Sequence, residues 1–90
     1  MPVLKMPNPL RPYVNGQPEV PVSGANVAEA VESLLAQFPA LRPHLTKSDG
    51  QLRAFVNLFL DGTNVRDLQG LDTPLGEKDI LLLVPSIAGG

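Results

Sequence analysis

Ninety residues carry seven basic and nine acidic side chains, a formal net charge of −2, and 43% hydrophobic residues. At this length one domain is expected, burying about 60% of the surface that its unfolded chain exposes, so it needs a compact core or a partner. The lack of cysteine excludes disulfides, thiolate metal sites and a catalytic thiol, and the scattered charges exclude the basic footprint of a nucleic-acid binder.

The first ten residues, MPVLKMPNPL, lack the apolar segment of a secretory signal. The longest apolar run, Ile80–Val84, is far too short to cross a bilayer. These features predict a mildly acidic, cytoplasmic single domain, monomeric or partner-seeking.

In chain order, Val3-Leu4-Lys5-Met6 is a short strand. It stops near Met6 or Pro7, because Pro7, Pro9 and Pro12 each remove a backbone donor. Asn15-Gly16 is a turn signal, since both residues tolerate positive φ. Gln17–Val22 then returns as the second arm of an irregular hairpin, with Val20 and Val22 on one side. Val27, Ala30, Val31, Leu34, Leu35 and Phe38 form one stripe of a 3.6-residue period and predict an amphipathic helix. Asn26 is its N-cap, Glu29 stands where a capping-box partner belongs, and Pro39 ends it. Leu41 and Leu45 tuck the following turn onto the core, and Thr46–Gln51 reads as a surface loop.

From Leu52 the period becomes 2. Val56, Leu58 and Leu60 share one face, and Phe55, Asn57 and Phe59 share the other. Asp61-Gly62 turns the chain, and Thr63–Arg66 returns as a short strand. Gln69–Lys78 is loop with one helical turn at most. Ile80–Val84, apolar on both faces, is a central strand.

A single amphipathic helix must bury its stripe on one face of the sheet, which gives a two-layer α+β domain. With the helix between two hairpin-like halves, the simplest solution is a β-grasp (ubiquitin-like) fold. Its mixed sheet has four to five strands, with the first and last side by side in the middle. Residues 1–84 form the domain and residues 85–90 an extended Gly-Gly tail.

That tail, Pro85-Ser86-Ile87-Ala88-Gly89-Gly90, resembles the end of ubiquitin-like sulfur carriers of the MoaD/ThiS family. The match continues through Phe55-Val56-Asn57, Asp61-Gly62, Val65-Arg66 and Gly70-Leu71. It also includes Met6-Pro7 with Leu10-Arg11-Pro12, a pattern similar to the CysO-like branch. The resemblance implies that the Gly90 carboxylate, presented with Gly89, is adenylated and converted to a thiocarboxylate. Implied partners are a ubiquitin-activating-type adenylyltransferase (MoeB/ThiF-like) that uses ATP, a sulfur-accepting synthase such as a cysteine synthase, and a metalloprotease that trims the tail. No cofactor is bound permanently. Cysteine is the favoured product, with molybdopterin, thiazole and thiolated tRNA as the other outlets.

The residue types fit that chemistry. A carboxylate is a poor acyl donor until AMP supplies a leaving group for a sulfur nucleophile to displace. Pro85 to Gly90 spans up to roughly 20 Å when extended, which suffices to reach a recessed site. Glycines carry no Cβ to block a narrow channel, and no charge follows Asp79 to be desolvated there. Counting back from Gly90, the resemblance to ubiquitin-like folds implies that Leu81 and Leu83 point to the core. Leu82 and Val84 join Phe55 and Phe59 as an exposed apolar patch for a partner, with Pro85, Ile87 and Ala88 completing the contact.

Other candidates carry less. His44 is the only histidine and reads as a loop residue, the acidic residues lack metal-ligand spacing, and Ser23 and Ser86 lack a paired base. The chain is expected to be a carrier acted on by enzymes, not an enzyme. Two alternatives stand beside it: a modifier conjugated through Gly90 to lysines, and a plain interaction domain.

Overall fold

The computed structural model describes residues 1–85; the Ile87, Ala88, Gly89 and Gly90 expectations lie outside the described residues. Five strands, β1 (Val3–Lys5), β2 (Glu19–Pro21), β3 (Val56–Leu60), β4 (Thr63–Asn64) and β5 (Ile80–Pro85), form one sheet in the order β2-β1-β5-β3-β4. β1 runs parallel to β5, and the remaining pairs are antiparallel. The first and last strands therefore lie together in the middle, and helix α1 (Val27–Gln37) covers one face, which is the β-grasp arrangement.

Alternation decides the two faces. Leu4 pairs with Leu81 on one side and Val20 on the other, and all three have no exposed surface. Val56, Leu58, Leu81 and Leu83 continue this inward row and meet Val27, Ala30, Val31, Leu34 and Leu35 of α1. Burying each such side chain stabilises the fold by about 1.5–3 kcal/mol before chain entropy is counted. Leu60 and Phe38 are only half-buried and flank this core.

The start of α1 carries the expected cap. Asn26 is extended, and its Oδ1 accepts the Glu29 N–H at 2.8 Å. Glu29 Oε1 in turn accepts the Ala25 N–H at 2.9 Å, one residue before the position of a standard capping box. Gly24 makes this approach feasible. With φ of 155° it brings its Cα so close to α1 that a Cβ would lie 2.7 Å from the Ala30 nitrogen.

Several connections are more ordered than the sequence suggested. The proline-rich stretch after β1 is a 3₁₀ segment, Asn8–Val14, that buries Leu10 and Val14. Asn15, with φ of 58°, closes that segment, and the Gly16 N–H returns to the Arg11 carbonyl at 2.7 Å. The turn after α1 contains a one-turn helix, α2 (Arg42–Leu45), whose Leu45 and preceding Leu41 are buried as expected. His44 belongs to α2 rather than to a loop, with its ring centroid 4.3 Å from that of Tyr13. Thr46, expected in a surface loop, is buried, and its hydroxyl donates to the Arg42 carbonyl.

Strand limits also moved. β3 starts at Val56, because Ala54 and Phe55 form a turn. β4 stops at Asn64, and Val65–Asp67 coils into a 3₁₀ turn. β5 extends one residue past Val84, with Pro85 opposite Val56, so the proline is the last rung of the ladder rather than its terminator.

Candidate functional site

The open face of the sheet, opposite α1, gathers most of the predicted contact residues. Phe59 pairs with Leu82 and Asn57 with Val84, so these four side chains alternate away from the core row. Leu82 is 43% exposed, whereas Phe59 and Val84 are half-buried by their neighbours on the sheet. Phe55 is 40% exposed, in the turn that leads into β3 and outside the strand itself. Ile80, a strand residue to which the sequence pattern assigns no role, adds another exposed apolar side chain on the same face, opposite Val3. The result is an apolar strip along β5 that ends at Pro85.

Beside that end lies a groove of about 550 Å³, between the β1 exit and the last residues of β5. Met6, Pro7, Pro9 and Pro18 supply apolar wall, and Leu82, Val84 and Pro85 supply the other side. Lys5 and Arg11 bring two cations to it, and Glu19 one anion. Arg11 is oriented by its Nε–H, which donates to the Met6 carbonyl at 3.2 Å. The proline-rich stretch is what places these groups: its 3₁₀ turn carries Arg11 back over Met6 beside the sheet. The proline run announced a break in the strand and carried no signal that a groove would form there.

At the start of β3, on the edge away from β5, polar residues meet that alternation alone could not assemble. Arg66 donates to the Ala54 carbonyl at 2.8 Å, the Val56 carbonyl at 3.0 Å and Asn57 Oδ1 at 3.2 Å. Asn64 Nδ2 also donates to Asn57 Oδ1 at 3.2 Å. Asn57 and Arg66 both lie in the stretches that carry the resemblance, and the spacing between them gave no hint of contact. Leu71, 44% exposed, lies in the neighbouring 3₁₀ turn Gly70–Asp72.

No helix among the described residues is long and apolar enough to cross a membrane. The described part of the site holds an apolar strip and flanking cations, and no acid, base and nucleophile converge on it. Such an arrangement can bind another protein and hold a strand end for it.

Comparison with known proteins gives this arrangement a context. The sulfur carrier protein CysO of Mycobacterium tuberculosis is 32% identical over 89 residues, covering 97% of this chain and 96% of CysO. A chain in the crystal structure of the Amycolatopsis orientalis BexX/CysO complex superposes with a TM-score of 0.87 at 27% identity, with both chains fully covered. The solution structure of small archaeal modifier protein 1 from Methanosarcina acetivorans gives a TM-score of 0.84 at 30% identity, over 99% of this chain and 95% of that one. The ThiS family matches residues 4–90, nearly the whole sequence, and the chain belongs to that family.

Proposed function

We propose that the protein is a sulfur carrier of the CysO type. The observation that carries this reading is the union of two features on one strand. β5 presents Leu82 and Val84 on the open face and ends at Pro85, with three residues between it and the terminal Gly89-Gly90. Membership of the ThiS family supports it, as does full-length similarity to proteins named as sulfur carriers.

In this reading a ubiquitin-activating-type adenylyltransferase grips the apolar strip while the terminal segment enters its active site. An oxygen of the Gly90 carboxylate attacks the α-phosphorus of ATP, and pyrophosphate leaves. Hydrosulfide then attacks the acyl carbon of the adenylate, AMP departs with the bonding pair, and loss of the S–H proton leaves a thiocarboxylate. The carrier binds no permanent cofactor, because the partner consumes the ATP. A second partner in the cytoplasm, a sulfur-accepting synthase, takes the sulfur on. The BexX/CysO complex offers a precedent for a carrier of this fold seated on a second protein. Cysteine is the favoured product because the similarity to CysO runs the length of both chains.

Conjugation through Gly90 to lysines is not favoured: among the curated relatives matched by sequence, the sulfur carrier CysO covers 97% of this chain, whereas small archaeal modifier protein 3 covers 73%. The test is truncation. Removing Gly90 should leave the fold intact and abolish ATP–pyrophosphate exchange by the cognate adenylyltransferase. Exchange at the full-length rate would refute the proposal.

A further inference from the structure

We infer that Arg66 is a positioning residue, whose guanidinium closes the edge of β3 where β4 stops and so fixes the end of β5, the root that precedes the terminal segment in the chain. β4 is two residues long and pairs only with Phe59 and Leu60. On its other side β3 pairs with β5 along its whole length, from Leu60 to Val56. The first residues of β3 therefore have a strand neighbour on one edge alone.

The guanidinium fills the vacant edge. The Ala54 carbonyl, in the turn before β3, and the Val56 carbonyl, at its first residue, both face that edge. One terminal nitrogen of Arg66 bridges them, at 2.8 Å and 3.0 Å, and the other reaches Asn57 Oδ1 at 3.2 Å. Asn64 completes a closed circuit: its Oδ1 accepts the Arg66 backbone N–H at 3.0 Å while its Nδ2 donates to Asn57. Arg66 makes no ion pair among the described residues, so its charge is directed at neutral carbonyl and amide oxygens.

The location gives this clamp a consequence. Val56, held by Arg66, is the partner of Pro85 in the last rung between β3 and β5. The Val56 carbonyl faces Arg66 and its N–H donates to the Arg53 carbonyl at 3.0 Å, so Val56 makes no backbone hydrogen bond across that rung to Pro85. The geometry of the rung then depends on β3 being held from the opposite edge, where Arg66 sits. Phe55 lies between the two clamped carbonyls, so the same contacts hold the backbone that presents one of the exposed aromatic side chains. The functional consequence rests on the sulfur-carrier reading: a displaced root makes the terminal segment costlier to thread into the activating enzyme.

Two full-length variants test this. Arg66→Met keeps the aliphatic stem and loses every donor, and Arg66→Lys keeps the charge and loses the planar fork. Arg66 is exposed, so neither substitution removes core packing. In both, the amides of Val56–Leu58 and Val84 should exchange with solvent roughly three- to tenfold faster, the range set by the net worth of one hydrogen bond. The amides of Leu4 and Leu81 should exchange as before. In ATP–pyrophosphate exchange with the ubiquitin-activating-type adenylyltransferase purified from the same cells, KM for the carrier should rise severalfold with kcat unchanged. Unaltered exchange at Val56 and Val84 would overturn the clamp. An unchanged KM, or full restoration of both readings by lysine, would overturn its positioning role. If the unsubstituted protein supports no activation at all, the carrier reading fails, and the amide data still decide the clamp.

Discussion

Leu81 and Leu82 are neighbours in one strand and the same residue type, yet Leu81 has no exposed surface and Leu82 is 43% exposed. Leu81 sits between Leu4 and Leu60 under α1, in a layer that holds the domain together. Leu82 sits between Lys5 and Phe59 on the open face, where the fold asks nothing of it. The pleat sends adjacent side chains to opposite faces, so a single apolar run can serve two purposes without compromise. An uninterrupted ILLLV segment is thus a core strand on one face and an exposed apolar strip on the other, where docking is proposed.

The contrast can be broken from the core side first. Leu81→Ala should cost about 2–5 kcal/mol, since the surrounding side chains cannot close the cavity, and chemical denaturation would measure it. Next comes the helix that covers this face: Asn26→Ala removes the acceptor for the Glu29 N–H and should cost about 1 kcal/mol, visible as a lower thermal midpoint. On the open face, Leu82→Glu or Phe59→Glu should change stability by at most about 0.5 kcal/mol for the exposed position and somewhat more for half-buried Phe59. Both should weaken binding to the adenylyltransferase, measured by titration calorimetry. If Leu82→Glu unfolds the domain instead, the open face is part of the core and the contrast collapses.

Much of this was readable from the residues because the signals are periodic. The α1 stripe, its Asn26 cap and the shared face of Val56 and Leu58 follow from alternation or from a 3.6-residue repeat. The inward Leu81 and Leu83 and the outward Leu82 and Val84 follow instead from counting back from Gly90 by analogy with ubiquitin-like folds. The central placement of β1 and β5 followed from the order of the elements. What escaped was aperiodic. Prolines after β1 reveal missing donors, yet the same residues suit a 3₁₀ turn, and nothing in their spacing shows that Arg11 will return over Met6. Gly24 reads as an ordinary loop residue until its contact with α1 is seen. Arg66 bonds to backbone carbonyls, which every residue has, so no complementary side chain advertises the contact. The early end of β4 that makes room for it was equally hidden, because Thr63–Arg66 alternates well enough to suggest a longer strand.

The contrast between the two faces matters only if something reactive follows β5, so the decisive observation concerns Gly90. Intact-mass analysis of the protein purified from its own cells reads that residue directly. The account predicts a population heavier by the difference between one sulfur and one oxygen, assigned by fragmentation to the terminal carboxyl group. A terminus found only as the free carboxylate, or only as an isopeptide on lysine with no thiocarboxylate under conditions of active sulfur assimilation, would contradict it.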